Sequence, residues 1–459
     1  MTPRQQTMCQ AEGSSGETTR VFHTRDGAPY VRCESKEAFV NPTTPPGTTP
    51  EDVNKQLNLD LGQTFITRRN TRLLKIIKLL DSILFQWWEP LLFKAWPKVP
   101  LLFRRALTFG NWKIYFALHK LLLGRKTGIH QSVSEEYHAI TTVMWWSRLI
   151  PITPRRIRFA LGQLHACTPN TVQAHRVEHI QVQMTIPAPS QQKKHCSVRG
   201  LYLHRGDTPT QTTILWVYGG AYLAGDTVGN SSVADWVGKN CEMDVYIPEF
   251  RLAPEADLDD VMFDVCLAYR WLSSKVDPSN ILLLGVSSGA AISVRLMQLI
   301  AEQQRGEELL PSYLTDVVDN AKMPKGAALI GPYIDYTEPK VGSFLHYPRH
   351  DLIVNESVQE YGLPYLDGFI PQGRRRDYSP VYRSMQGLPP LCVAVSEHEA
   401  VYDMTIDLVN RARSQGVPVT LGVWKYMCHV FSFFMAFIPE ARLSMDFVCD
   451  WLKEQARDS

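Results

Sequence analysis

The chain has 459 residues, of which 44% are hydrophobic and 20% charged, and its formal net charge at pH 7 is +2. This composition can bury a sizeable core, which excludes global disorder, and the charge excludes a strongly basic nucleic-acid-binding protein. Nine cysteines are scattered without a C-x-x-C pair or the spacing of a zinc site. An odd number leaves at least one thiol unpaired, so the pattern argues against a disulfide scaffold and suits a reducing compartment.

Residues 1–60 are rich in Thr, Pro, Gly, Gln and Ser and show little hydrophobic periodicity. The run from Asn41 to Pro50 contains four prolines, so it can hold no helix and offers no alternating strand face. We therefore predict a mostly disordered leader over 1–60. A secretory signal peptide is not expected, because no basic stretch is followed by an apolar core.

Residues 61–130 contain thirteen Lys or Arg but only Asp81 and Glu89 as acids, interleaved with Leu, Ile, Phe and Trp. Apolar residues at three- and four-residue spacing predict an amphipathic helix over 72–88. Charged residues interrupt the apolar runs, so a clean transmembrane span is not predicted. A basic amphipathic segment with Trp at its edge is typical of a helix in a membrane surface. A helical cap packed on the next domain has the same periodicity, and both interpretations stay open.

Further along the chain, the pattern changes to strands that alternate with helices. Residues 178–184 alternate apolar and polar side chains, and later apolar runs are typical of central strands covered on both faces. These runs are 213–217, 243–247, 281–284, 327–330 and 391–395, with helical patterns at 261–273, 290–303 and 403–415. The alternation predicts βαβ units and a largely parallel sheet. We assign 176–459 to this α/β domain and 131–175 to a helical cap before it.

A Gly-x-Ser-x-Gly motif, Gly285-Val286-Ser287-Ser288-Gly289, directly follows the run at 281–284 and opens the next helix. The motif alone is weak, but its place between strand and helix makes it specific. The tight turn holds Ser287 out of the sheet as a candidate nucleophile, and the backbone N–H of Ser288 faces the position of an oxyanion. A plain Gly-Ser turn, or Ser288 as the reactive hydroxyl, is the alternative.

Upstream, the run at 213–217 ends in Tyr218-Gly219-Gly220-Ala221. Two adjacent glycines after a buried strand leave backbone N–H groups unshielded, as an oxyanion hole requires. Gly-Gly is also a common structural turn. Its position before the serine motif favours Gly219 and Gly220 as donors of an oxyanion hole, together with Ser288.

These motifs resemble those of the hormone-sensitive-lipase branch of the α/β-hydrolases, which includes arylacetamide deacetylases and fungal steryl acetyl hydrolases. The family's His-Gly-Gly-Gly, Tyr-Arg-Leu-Ala-Pro-Glu and Gly-Asp-Ser-Ala-Gly motifs are similar to residues 218–221, 250–255 and 285–289, and the resemblance spans 175–455. It implies an α/β-hydrolase fold: a mostly parallel sheet of about eight strands, helices on both faces and a helical lid. The sequence departs from the family at Tyr218, Ala221, Val286 and Ser288, which bears on acyl specificity more than on catalysis.

The resemblance also implies that an acid and then a histidine follow the serine in chain order. The family's acid falls at Glu399, with Asp403 and Glu397 as alternatives, and the family's histidine falls at His429. The histidine would take the proton of the serine, and the acid would orient the histidine. His398, in the turn beside the acid, is interpreted as structural.

We therefore expect a carboxylic ester hydrolase of the serine esterase or lipase type, with Ser287, Glu399 and His429 as catalytic residues. The resemblance implies hydrophobic esters with a short acyl group, such as acetyl esters of sterols or secondary metabolites, and no metal or organic cofactor. An intracellular protein is expected, with no nucleic-acid partner. Peripheral contact with a membrane through 61–126 would place it at the endoplasmic reticulum, and otherwise it would be cytoplasmic. An acyltransferase or cyclising enzyme with the same triad, or a non-catalytic ligand-binding protein, is the alternative.

Overall fold

A ten-stranded mixed sheet runs through the part of the chain that the structure describes. The structure is a computed structural model and describes residues 19–44, 48, 86–122, 130–147, 153–163, 172–186, 194–309, 314–337, 342–347 and 351–457, without 352, 355–357, 359–362, 367 and 371–372. The strands are β1 Thr19–His23, β2 Pro29–Cys33, β3 Arg176–Ile186, β4 Lys194–His204, β5 Thr213–Val217, β6 Asp244–Glu249, β7 Ile281–Val286, β8 Gly326–Ile330, β9 Leu391–Ser396 and β10 Val419–Trp424.

The strand order in the sheet is β1-β2-β10-β9-β8-β7-β5-β6-β4-β3. The six strands from β10 to β6 in this order are parallel, and the strands beyond them at each edge pair antiparallel. Every residue of β5, β7, β8 and β9 is buried, as expected for strands that have helices on both faces. The predicted mixed, mostly parallel sheet is confirmed, with ten strands in place of about eight.

The helices connect the strands and supply the cap. They are α1 Gln86–Ala95, α2 Leu101–Leu122, α3 Glu135–Ser147, α4 Pro154–Gly162, α5 Thr227–Cys241, α6 Leu258–Ser273, α7 Ser288–Gln304, α8 Thr315–Val318, α9 Gly342–His346, α10 Arg375–Tyr378, α11 Tyr402–Ser414 and α12 Pro439–Arg457. Helix α7 packs on β7 and β8, while α5 packs against α12. The cysteines that the structure describes are all unpaired and buried.

The N-terminal segment differs from the prediction of a disordered leader. Strands β1 and β2 form a hairpin, and β2 pairs antiparallel with β10, with Cys33 opposite Leu421. The turn contains Asp26-Gly27, a pair that favours tight hairpins because glycine accepts a positive φ, here 101°. Val31 and Cys33 are buried in the core. The overall composition concealed this local turn signal; residues 1–18 and most of 45–60 lie outside the described residues.

The segment 61–130 is helical where the structure describes it, in α1 and α2. The predicted helix over 72–88 lies outside the described residues except for its last three, which begin α1. None of the helices in the described ranges combines the length and the hydropathy needed to cross a bilayer.

Within 131–175, the described residues form α3 and α4. Arg158 of α4 donates to the carbonyl oxygens of Leu223 (2.7 Å) and Ala253 (2.6 Å) and pairs with Glu255 at 2.6 Å. These contacts hold α4 over the loop that follows β5. The hydrogen bonds from Arg158 lower the pKa of Glu255 to about 2.

Candidate active site

Ser287 lies in the turn between β7 and α7, with φ 53° and ψ −119°. A non-glycine residue seldom adopts a positive φ, and such strain is typical of a serine displayed at a strand-to-helix turn. The flanking glycines make room for it. A Cβ added to Gly285 would lie 2.5 Å from Cα of Ala290, and one added to Gly289 would lie 2.1 Å from the carbonyl oxygen of Val217.

Three predicted residues come together around this turn. Oγ of Ser287 lies 2.8 Å from Nε2 of His429, and Nδ1 of His429 lies 2.8 Å from Oε2 of Glu399. The imidazole and the carboxylate are buried, and the backbone N–H of Ser396 donates to Oε1 of Glu399 at 2.9 Å. The geometry is that of a hydroxyl, an imidazole and a carboxylate in one hydrogen-bonded chain.

The surroundings of His429 favour its charged form. Burial lowers the pKa of His429, but the hydrogen bond and the charge of Glu399, with a smaller contribution from Asp351, outweigh burial and raise it above its ordinary value. A raised pKa strengthens the imidazole as an acceptor of the serine proton.

The alternative acids have other partners. Glu397 is hydrogen-bonded by the hydroxyl of Thr44 and lies 3.8 Å from the ammonium group of Lys425. Asp403 accepts the backbone N–H of Ser343 at 2.8 Å and so caps α9. Of the three acids weighed from the sequence, Glu399 is the one hydrogen-bonded to a histidine.

The other two residues considered from the sequence have structural contacts. Nδ1 of His398 accepts the backbone N–H of Tyr426 at 3.1 Å, and its ring lies 5.0 Å from that of Tyr426. Oγ of Ser288 accepts the backbone N–H of Tyr222 at 3.4 Å. The Ser288 hydroxyl is therefore engaged in holding the glycine loop.

The Gly219-Gly220 loop lies against the serine turn. A Cβ added to Gly219 would be 2.9 Å from Cβ of Ser287, and one added to Gly220 would be 2.2 Å from the carbonyl oxygen of Ala224. In the part of the chain that the structure describes, the backbone N–H groups of Gly219, Gly220 and Ser288 donate to no protein acceptor. Three free donors beside a serine hydroxyl are the elements of an oxyanion hole.

The departures from the family motif are accommodated locally. The ring of Tyr218 is buried and stacks on Phe250 with a centroid distance of 4.1 Å, and its hydroxyl accepts the backbone N–H of Phe250 at 3.4 Å. Ala221 and Tyr222 both adopt positive φ, 53° and 61°. The loop therefore keeps its tight turn without the third glycine, at the cost of strain at these two residues.

Asp351 is a buried carboxylate beside the histidine that the sequence analysis did not identify. Its Oδ1 accepts the backbone N–H of His429 at 3.1 Å, and its Oδ2 accepts that of Ala400, next to Glu399, at 2.9 Å. It therefore connects the loop of the acid to the loop of the histidine. No recognisable motif surrounds it in the sequence.

Gly331 is a second residue beside the histidine to which the sequence analysis assigned no role. Its φ is +52°, and a Cβ added there would lie 3.0 Å from Cε1 of His429 and 3.3 Å from Oε2 of Glu399. Any larger residue would press on the imidazole.

Asp351, Glu399 and His429 also have potential metal-ligand atoms within 4.8 Å of one another. Both oxygens of each carboxylate already accept hydrogen bonds from the protein. The arrangement therefore fits a hydrogen-bonded network, and the chemistry below uses no metal.

Comparison with known proteins also indicates an α/β-hydrolase. The family model of the α/β-hydrolase fold matches residues 214–433. An acetyl-hydrolase of Streptomyces hygroscopicus is 25% identical over 55% of this chain and 78% of its own, and an esterase of Acinetobacter venetianus is 27% identical over 54% and 76%. The crystal structure of an esterase from the bacterial hormone-sensitive lipase family superposes with a TM-score of 0.56 at 26% identity, covering 70% of this chain and 99% of that one.

The chain has the α/β-hydrolase fold and is similar to an esterase of the bacterial hormone-sensitive lipase family. The carboxylic ester hydrolase expected from the motifs is confirmed by its similarity to proteins named acetyl-hydrolase and esterase. The hairpin β1-β2 and the helices α1 and α2 lie outside the matched range, as do α3, α4, β3, β4 and α12.

Proposed function

We propose that this hydrolase cleaves esters through Ser287, His429 and Glu399. The observation that carries the proposal is the pair of 2.8 Å hydrogen bonds joining the three side chains. Oγ of Ser287 attacks the ester carbonyl while His429 takes its proton, and Glu399 stabilises the resulting imidazolium. The acyl group is then transferred to Ser287, and the alcohol leaves with the proton that His429 held.

Gly219, Gly220 and Ser288 donate their backbone N–H groups to the oxygen that becomes negative in the tetrahedral intermediate. Water, deprotonated by His429, then attacks the acyl-enzyme and releases the acid. Asp351 is a positioning residue in this scheme, because it contacts the backbone of the histidine loop and of the acid loop but not the reacting atoms.

The proposed substrates are hydrophobic esters with a short acyl group, such as acetyl esters of sterols or secondary metabolites. The relative named acetyl-hydrolase supports the short acyl group. Leu161 of α4 supports it too, since its Cδ1 would lie 3.1 Å from a Cβ on Gly220, so the cap approaches the oxyanion loop closely. A role in lipid metabolism and a location at the endoplasmic reticulum stay predictions.

The test is hydrolysis of p-nitrophenyl esters from acetate to palmitate by the full chain, Ser287→Ala and Ser288→Ala. We expect the acetate or butyrate to be preferred. We expect Ser287→Ala to lose at least about a thousandfold in kcat/KM. Ser288→Ala keeps its backbone donor and is expected to retain most activity. Equal activity of Ser287→Ala and the parent would refute the proposal. Loss of activity in Ser288→Ala alone would show that Ser288 is the nucleophile.

A further inference from the structure

Helix α2 leaves many of its large apolar side chains in solvent. Its outward side chains are mostly large and apolar, and 50–79% of their surface is exposed: Leu102, Phe103, Leu107, Ile114, Leu118, Leu121 and Leu122. The side that faces the protein contains Arg104 and His119, which are 8% and 3% exposed, and Trp112, whose ring lies 5.3 Å from that of Phe437. A surface helix of a soluble domain places its apolar stripe on the core and its charges in water.

Specific contacts fix this orientation. Arg104 donates to the carbonyl oxygen of Val99 at 3.0 Å and to Oε1 of Gln163 at 2.6 Å. The hydroxyl of Tyr115 donates to the carbonyl oxygen of Ala139 at 3.1 Å. Rotating α2 to bury its leucines would break these hydrogen bonds and the contact between Trp112 and Phe437. These contacts therefore hold the apolar stripe of α2 on the surface of the protein.

The charges around the stripe are positive. Lys94, Lys98, Lys113 and Lys120 are all exposed, and Lys120 pairs with Glu135 of α3 at 2.8 Å. Over 86–122 the sole acid in the sequence is Glu89, which is paired with Arg156 at 2.9 Å. An apolar stripe with a basic margin complements a bilayer that exposes acyl chains beneath anionic headgroups.

The stripe lies next to the cap of the active site. Phe93 of α1 stacks on Phe159 of α4 at a centroid distance of 4.1 Å, and Arg104 of α2 holds Gln163 at the end of α4. Leu161 of the same short helix approaches the oxyanion loop. Helices α1 and α2 thus support the helix that covers the reactive serine.

We infer that the outward face of α2, extended by the exposed Leu91 and Leu92 of α1, docks on an anionic lipid bilayer. Docking brings α4 to the membrane surface, where hydrophobic esters dissolve. This last consequence rests on the proposed function, whereas the docking itself does not.

The experiment is flotation of the full chain with vesicles of phosphatidylcholine containing about 30% phosphatidylserine. Leu118→Glu with Leu121→Glu places two charges in the stripe and is expected to lower the bound fraction at least about tenfold. The matched control is Val40→Glu with Leu345→Glu, since these residues are also exposed but lie on other elements. It is expected to change binding less than about twofold.

A second variant tests the basic margin. Lys94→Glu with Lys98→Glu is expected to weaken binding to the anionic vesicles by about fivefold or more per residue, and binding to pure phosphatidylcholine much less. Hydrolysis of soluble p-nitrophenyl acetate is measured on every sample. If the parent chain binds vesicles but hydrolyses no ester, the proposed function is refuted and the docking inference still holds.

Three results would overturn the inference. The first is that the parent chain floats with neither kind of vesicle. The second is that the variant Leu118→Glu with Leu121→Glu floats as well as the control. The third is a dimer of the parent in sedimentation that the stripe variant abolishes without any vesicle binding, which would make a second copy the occupant of the stripe.

Discussion

The change Asp351→Asn keeps the shape of the side chain but removes its charge and one acceptor. The N–H groups of Ile353, Val354 and His429 donate to Oδ1, and that of Ala400 donates to Oδ2. An asparagine that keeps its oxygen opposite the three donors turns its NH₂ group toward the N–H of Ala400. Two donors then face each other in a buried site.

The loss can be estimated from this geometry. One charge-assisted hydrogen bond disappears and one buried N–H is left unpaired, which costs about 2–3 kcal/mol of unfolding free energy. The acid loop and the histidine loop are also no longer joined through one carboxylate. If a similar free energy is lost in the transition state, kcat/KM falls by about 30- to 160-fold.

The assay is the pH profile of kcat/KM for p-nitrophenyl acetate together with denaturant unfolding. Asp244→Asn is the matched control, since Asp244 is also buried and accepts the backbone N–H groups of Arg205 at 2.7 Å and Thr210 at 3.2 Å, at the start of β6. We expect both variants to lose stability. Only Asp351→Asn should also lose activity and move the acidic limb to lower pH, because the charge of Asp351 helps to raise the pKa of His429. Identical pH profiles and activities for the two variants would refute the positioning role.

Four further predictions concern the triad and its neighbours. Glu399→Gln removes the charge that stabilises the imidazolium and should lower kcat about a thousandfold or more with little change in the unfolding midpoint. Asp403→Asn should lower stability only, and loss of turnover in this variant would show that Asp403, not Glu399, is the catalytic acid. Gly331→Ala places a methyl group 3.0 Å from Cε1 of His429 and should lower kcat about tenfold or more, whereas Gly416→Ala, also at positive φ but in open space, should lose about 1 kcal/mol of stability and no activity. Catalysis needs neutral His429, whose pKa is raised, so kcat/KM should decline as the pH falls through a value above that of an ordinary histidine, and Glu399→Gln should shift the decline to lower pH.

The sequence predicted the serine turn because the information for it is local. A buried strand, two glycines around Ser287 and a helix follow one another within a short stretch, and each step has its own physical signature. The choice of Glu399 over Asp403 and Glu397 came from resemblance rather than spacing. All three acids lie in one short stretch after β9, and periodicity does not distinguish them.

The contacts that the sequence did not predict are long-range. Asp351 meets His429 and Ala400 only after the chain has folded, and nothing near Asp351 in the sequence marks it. The hairpin β1-β2 had a local signal in Asp26-Gly27, but the proline-rich stretch after it dominated the composition of 1–60. Helix α2 has an amphipathic pattern that cannot reveal which of its faces lies outward.

The pairing of β2 with β10 has a consequence for synthesis of the protein. Strand β2 is made long before its partner β10, in which Leu421 lies opposite Cys33. During translation β2 therefore waits unpaired, with Val31 and Tyr30 available to other strands, and such exposed edges favour aggregation. The sheet is complete only after β10 has left the ribosome. Chaperones that hold nascent chains should consequently improve the yield of the full-length protein, and trimming the chain to the matched residues 214–433 should leave β10 with an open edge.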